Sequence, residues 1–220
     1  MIEEANALIA LDDNWGLSIL SIGQEFSGVS KFDKLHTKRI TDTKLHNDND
    51  KIVTCSTDKF MKLIDLRDNK IALENRHKSE LHSVAVSDYI IAAGDQYGSI
   101  MFWDMRQAST ILNTYSEYHI EEVTALNFSK THKNHLLSGG SDDHFCYFDL
   151  SKTSLEDSMQ VMINIEQEIE QVDFVGNSLD RAYALTSVNS IVFIDLINGV
   201  KQNTWQYPNN FDDDEDNFIG

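Results

Sequence analysis

Five times along the chain an apolar strand closes on an aspartate: Asp33 in SGVSKFDK, Asp65 in FMKLIDLR, Asp104 in SIMFWDMR, Asp149 in HFCYFDL and Asp195 in SIVFIDL. Successive spacings are 32, 39, 45 and 46 residues. A period of this kind marks a repeated supersecondary unit, and a unit this small cannot bury its own apolar face. Copies must therefore stack on one another, and this constrains the fold before composition or charge is considered.

The fourth unit shows the physics most plainly. Asp142 and Asp143 sit where a short hairpin must reverse, since aspartate side chains hydrogen-bond the backbone two residues on. In the strand that follows, Phe145 and Tyr147 point to one face while Cys146 and Phe148 point to the other. Both faces are apolar, so the strand is expected to be covered on both sides by copies of its own sheet. A small antiparallel sheet between two like neighbours is a propeller blade.

Units are read at 1–35, 36–76, 77–118, 119–164 and 165–207, with 208–220 an acidic loop or tail and the start of a possible further strand. The first unit has strands at Ala7 to Leu11, Ile19 to Gln24 and Val29 to Phe32, and because His36 already opens the next unit, either it lacks its fourth, outer strand or residues have been lost there. Such a loss leaves an open edge that invites pairing. The tail carries five consecutive acids, Asp212 to Asp216, which read as a solvated stretch, and Phe218-Ile219-Gly220 looks like a strand begun and not finished.

These repeats resemble the WD40 β-propeller family, an all-β fold of antiparallel four-stranded blades, over roughly Ala7 to Tyr207. In that family a His before the first strand, a Ser in the second, an Asp in the hairpin and a Trp in the third form a buried hydrogen-bonded set. The fourth unit supplies His119, Ser138 and Asp142, with Phe148 at the Trp position. The second keeps His36 and Asp58 with Ile64 for Trp; the third keeps His77 and Trp103 but has Tyr97 where the Asp is expected; the fifth has Ile165 for the His and Val188 for the Asp. About five blades are visible. The order of features resembles a longer member of the family with a larger propeller, so the chain reads as its first five blades, an open arc whose two uncovered blade faces imply aggregation, missing C-terminal blades, or a partner chain that closes the ring.

The chemistry of catalysis is not in evidence. His36, His77 and His119 recur at spacings of 41 and 42, the repeat period, and so occupy equivalent places in different blades instead of converging on one site. His132, His135 and His144 lie closer together but lack a thiolate at zinc spacing. GQEFSG (Gly23 to Gly28) lacks the Lys-Ser/Thr ending of a phosphate loop, and there is no Gly-x-Ser-x-Gly elbow. No enzyme, metal or cofactor is expected.

The formal charge of -18 opposes binding to nucleic-acid backbones and suits solubility or basic protein partners. Cys55 and Cys146 fall on inner strands of different repeats, which gives no disulfide framework. Glu3 and Glu4 carry the wrong charge for a targeting peptide, and no apolar run approaches the roughly 20 residues that span a bilayer. Cytosol or nucleus is the expected compartment.

The expected function is a non-catalytic protein-interaction scaffold. A sharper motif is Asp-x-Arg after the third strand of two successive units: Asp65-Leu66-Arg67 and Asp104-Met105-Arg106 resemble the WD-x-R box of propellers that serve as substrate receptors of a cullin-RING ubiquitin ligase. An Arg there either forks onto a partner's carboxylate or hydrogen-bonds its own blade. The loop residues Asp95, Gln96 and Tyr97 are a second candidate surface, and the charge together with the acidic tail also suggests an escort for basic nuclear proteins.

Overall fold

A computed structural model describes residues 6–22, 26–46, 50–106 and 110–206. Nineteen strands among them form five antiparallel sheets: β1 (Asn6–Leu11), β2 (Leu17–Ile22) and β3 (Phe26–Phe32); β4 (Ile40–Leu45), β5 (Lys51–Ser56), β6 (Phe60–Asp65) and β7 (Lys70–Arg76); β8 (Leu81–Ser87), β9 (Ile90–Asp95), β10 (Ile100–Asp104) and β11 (Ile111–Tyr115); β12 (Ala125–Phe128), β13 (His135–Gly139), β14 (His144–Asp149) and β15 (Met159–Asn164); β16 (Ile169–Phe174), β17 (Arg181–Thr186), β18 (Ser190–Asp195) and β19 (Val200–Gln206). A single helical turn, α1 (Leu155–Ser158), capped by Ser154, interrupts the run before β15. The acidic segment from Asp212 to Asp216 and the strand expected at Phe218 lie outside the described residues.

The first sheet has three strands, but the missing one is not the outer strand that the sequence suggests. In all four complete sheets the register between second and third strands is regular and that between third and fourth shifts; the first and second strands also shift in three of them, the fourth blade being the exception. In the first sheet β1 and β2 pair regularly whereas β2 and β3 carry the shift. The turns agree. His77 and Ile165 each donate a backbone N–H to the carbonyl of a left-handed residue in the preceding hairpin, Lys59 or Asp143, and His36 does the same to Trp15. The hairpin of β1 and β2 is therefore the second-to-third-strand hairpin, β3 is the fourth strand, and no innermost strand of this sheet lies among the described residues. Asp33 follows a fourth strand, so it is not the equivalent of Asp65. This explains the anomalous first spacing of 32 residues.

Four apolar cores join the blades in order. Leu17, Leu35, Ile40, Ile52 and Ile64 fill the first interface; Val53, Leu63, Ile91, Met101 and Trp103 belong to the second; Phe102, Tyr115, Leu136, Cys146 and Phe148 to the third; and Leu137, Phe145, Tyr147, Val172 and Ile194 to the fourth. The alternation expected of β14 is realised, with its two faces entering different cores. Phe148 lies 5.4 Å from Tyr115 and 5.3 Å from Tyr118, ring centre to ring centre, in the tilted and edge-on arrangements that aromatic quadrupoles favour.

Near the axis, hydroxyls fasten one innermost strand to the next. Thr41 donates to the Leu81 carbonyl at 2.7 Å, Ser83 to the Val123 carbonyl at 2.6 Å, and Thr124 to the Ile169 carbonyl. The second strands must come close here: a Cβ at Gly94 would lie 2.5 Å from Val123 Cβ, and one at Gly139 would lie 2.4 Å from Ile169 Cγ2. The outward face of the fifth blade is less well covered. Tyr183, Leu185, Ile191 and Phe193 are half-buried there, and β19 is exposed throughout.

Candidate functional site

The polar residues singled out in the sequence divide between two places, the buried turns where successive blades meet and the exposed ends of the third strands. In the second blade His36 is 1% exposed, and its Nδ1 lies 3.0 Å from Asp58 Oδ2 while its Nε2 lies 2.8 Å from Thr54 Oγ1. An ionised carboxylate only accepts, so Nδ1–H donates to Asp58 and the Thr54 hydroxyl donates to Nε2. Asp58 also accepts the backbone N–H groups of Thr37 at 2.8 Å and Phe60 at 3.0 Å. Burial pushes the His36 imidazole below its ordinary pKa, against the pull of Asp58.

The fourth blade repeats this arrangement. His119 Nδ1 lies 3.0 Å from Asp142 Oδ1 and Nε2 lies 2.7 Å from Ser138 Oγ. Asp142 further accepts the N–H groups of Ile120 at 2.9 Å and His144 at 3.2 Å. Burial opposes ionisation of Asp142, but the His119 hydrogen bond and these amides outweigh it and hold its carboxyl below the usual range. The Thr54 hydroxyl, which the sequence pattern does not flag, does in the second blade what Ser138 does in the fourth.

In the third blade the acceptor sought at Tyr97 is found two residues earlier. Asp95, fully buried at the end of β9, accepts from Ser79 Oγ at 2.5 Å and from the backbone N–H groups of Tyr97 at 3.0 Å and Ser99 at 2.8 Å. His77 Nε2 stands 3.4 Å from Asp95 Oδ2, an ion-pair distance whose angle does not make a hydrogen bond. Asp95 is thus a turn residue with no access to a partner, which corrects its place in the candidate loop surface; Tyr97, 67% exposed, retains that access. Trp103 is buried in the core shared with the second blade. The fifth blade, lacking both His and Asp, ties the same turn with Thr186, Ser190 and Gln167, whose side-chain oxygens meet at 2.7 Å and 2.7 Å.

The Asp-x-Arg pairs lie at the third-strand ends and close on themselves. Arg67 donates from Nε to Asp65 Oδ1 at 2.9 Å and from Nη2 to Asp65 Oδ2; Arg106 makes the same fork onto Asp104 at 2.9 and 2.6 Å. The side-chain bond from Arg106 holds the Asp104 carboxyl down at about 2. Arg106 also lies over the Tyr89 ring, 4.2 Å from its centre. Both guanidinium groups remain more than half exposed.

No cluster of three or more His, Cys, Asp or Glu side chains suited to a metal occurs among the described residues. His135, one of the three neighbouring histidines, instead shares a hydrogen bond with the Tyr147 hydroxyl at 2.8 Å. Cys55 and Cys146 are buried free thiols in different blades. No helix among the described residues is long and apolar enough to cross a membrane.

Residues 29–65 match the WD40 family described as WD domain, G-beta repeat. That stretch carries a WD40 repeat, and the chain as a whole is similar to WD40-repeat proteins. The match opens on β3 and closes on Asp65, so one sequence unit takes its first strand from one blade and the next three from the blade after it. The chain is 26% identical to the WD repeat-containing protein 89 homolog of Dictyostelium discoideum over 197 residues, covering 90% of this chain and 52% of that protein. It is 23% identical to the WD repeat-containing protein GTS1 of Arabidopsis thaliana over 144 residues, covering 63% of this chain and 36% of that one. It thus spans about half the length, or less, of these curated relatives. Among solved structures, a chain of the mitotic checkpoint complex superposes with a TM-score of 0.75 at 14% identity, over 90% of this chain and 65% of its own. Chaetomium thermophilum Sqt1, bound to the N-terminus of ribosomal protein L10, superposes at 0.75 with 19% identity, over 91% and 58%. These likenesses are of fold.

Proposed function

We propose that the WD40 blades form a non-catalytic scaffold on which other proteins assemble. The observation that carries this reading is the fate of the polar residues. The His, Asp, Ser and Thr side chains of the blade turns are buried and spent on one another, so they shape a rigid frame and leave exposed loops to make contacts. The sites proposed for contact are the rim residues Asp65, Arg67, Asp104 and Arg106 and the loop at Tyr97. The edge of β1, unpaired among the described residues, and the half-covered outer face of the fifth blade are the places proposed for further blades or a partner chain to complete the ring. Buried free thiols suit a reducing compartment, cytosol or nucleus.

A second reading is favoured by charge. A formal charge of -18 suits a basic partner, and Sqt1, a protein of like fold, was crystallised with a ribosomal-protein N-terminus. The ligase-receptor reading rests only on the sequence box, because both forks are closed on their own blades.

The test is crosslinking of the tagged full chain in the cells that express it, with bound proteins identified by mass spectrometry. A reproducible stoichiometric partner is expected; recovery of the bare chain at physiological salt would sink the scaffold reading. A basic partner should dissociate as salt rises, whereas loss of a ligase adaptor on combining Arg67→Ala with Arg106→Ala would instead favour the receptor reading.

A further inference from the structure

Against the strongly acidic background, one cleft is lined by cations. It opens between the second and third blades with a volume of about 320 Å³, and its walls include Arg76, His77, Lys78, Ser99, Met101 and Thr114. No carboxylate lines it among the described residues. The acids on either side in sequence are already taken, Glu74 by Lys62 at 3.0 Å and Glu80 by Lys38 at 3.3 Å. This leaves Arg76 and Lys78 exposed and without a carboxylate partner among the described residues. The cleft below the rim between the same blades differs: its cations, Lys51 and Arg106, are each held by a neighbouring aspartate.

The segment that carries these cations is held from both sides. The His77 N–H donates to the Lys59 carbonyl at 2.7 Å and Lys59 Nζ donates to the Lys78 carbonyl at 2.9 Å, which ties it to the second blade. Ser79 Oγ on Asp95 and the Gln96 N–H on the Glu80 carbonyl, at 3.1 Å, tie it to the third. His77, with its side chain only 9% exposed, turns its Nε2 toward Asp95 Oδ2 at 3.4 Å, which anchors the ring beneath the cleft. The backbone that carries the two cations therefore needs no ordering on binding.

We infer that this cleft is a binding site for an oxyanion, carboxylate or phosphoryl, presented on a peptide of the assembled partner. Arg76 offers a planar fork that matches either group, Lys78 adds a point charge, and Ser99 and Thr114 line the same cleft. The volume takes one side chain and its terminal group, so the contact selects a short acidic motif. The inference deepens the scaffold reading and rests on it.

The experiment titrates isotopically labelled full chain, followed by amide resonances, with inorganic phosphate, a glutamate-containing peptide and the same peptide carrying phosphoserine. The expected result is a shift at Ser99, Met101 and Thr114, with affinity falling at least about tenfold when Arg76→Gln is combined with Lys78→Gln. A matched charge change at Lys70→Gln and Lys152→Gln, which each sit beside their own aspartate, should leave affinity unchanged. Tighter binding of the phosphopeptide assigns the phosphoryl group, and equal binding assigns the carboxylate. Three results would overturn the inference: no shift at the cleft, equal loss in the control pair, or tighter binding of a single-stranded oligonucleotide than of either peptide. None of these bears on whether a partner crosslinks, so the scaffold reading stands or falls separately.

Discussion

Replacing Asp142 with alanine tests the claim that the buried turn sets hold the blades. Its carboxylate is 2% exposed and accepts from three donors, His119 Nδ1 and the amides of Ile120 and His144. The His119 contact is buried and charge-assisted, and losing it removes about 2 kcal/mol and leaves an imidazole N–H unsatisfied. The two amides lie nearer solvent, where water recovers part of the loss, so they add about 0.5 kcal/mol each. The sum is about 3 kcal/mol, which in a chain of this size lowers the thermal midpoint by about 6–12 °C. Asp142→Asn keeps the shape and one acceptor, and should cost about half as much. The neighbouring Asp143 occupies a left-handed turn position, which asparagine also tolerates, so Asp143→Asn should stay within about 2 °C of the parent. Circular dichroism against temperature reads all three variants. The reasoning fails if Asp142→Ala melts within about 2 °C of the parent, or if Asp143→Asn falls as far.

Two further outcomes follow from burial. Burial pushes the Cys146 thiol up to about 12 and raises Cys55 as well, so neither should react with a thiol reagent in the native state and both should react in denaturant; a native titre of one or more would refute this. Acid should destabilise the fold in two stages. Burial lowers the pKa values of His36, His77 and His135, so the unfolded chain gains protons first as pH falls below about 6.5, and stability is lost there. Asp58 and Asp142, despite burial, are held below the ordinary carboxylate range by their donors, so their contribution is full above about pH 4 and is lost as pH falls through their lower folded values. Urea midpoints between neutral pH and pH 4, taken in about 0.5 M salt to screen the net charge, should fall steadily, and a flat or rising series would contradict the assignment.

The blade pattern was legible because it rests on side-chain alternation and on turns. Phe145 to Phe148 announce a strand covered on both faces, and the pairs His36 with Asp58 and His119 with Asp142 stand at the repeat spacing. What escaped the sequence was interchangeable chemistry. A threonine hydroxyl serves as well as a serine, which hid Thr54; an aspartate two residues early still reaches the turn amides, which hid Asp95; and Gln167 with Ser190 ties a turn that has neither His nor Asp. The identity of the strands in the first blade was misread because short apolar strands look alike, and only register shifts and turn bonds tell them apart. One signal was present: Asp12 precedes His36 by 24 residues, as Asp95 precedes His119 by 24, which marks DDNWG as the inner hairpin.

The hydroxyl fastenings near the axis bear on how such a protein changes over generations. Thr41, Ser83 and Thr124 each donate to a main-chain carbonyl of the following blade, a group that every amino acid possesses. A blade copied within its gene therefore arrives with its own fastener and finds an acceptor whatever sequence lies next to it. The neighbour need only keep its backbone where it is. The His, Ser, Asp and Trp pattern can then be incomplete in one blade after another, as it is here, without unlinking the series.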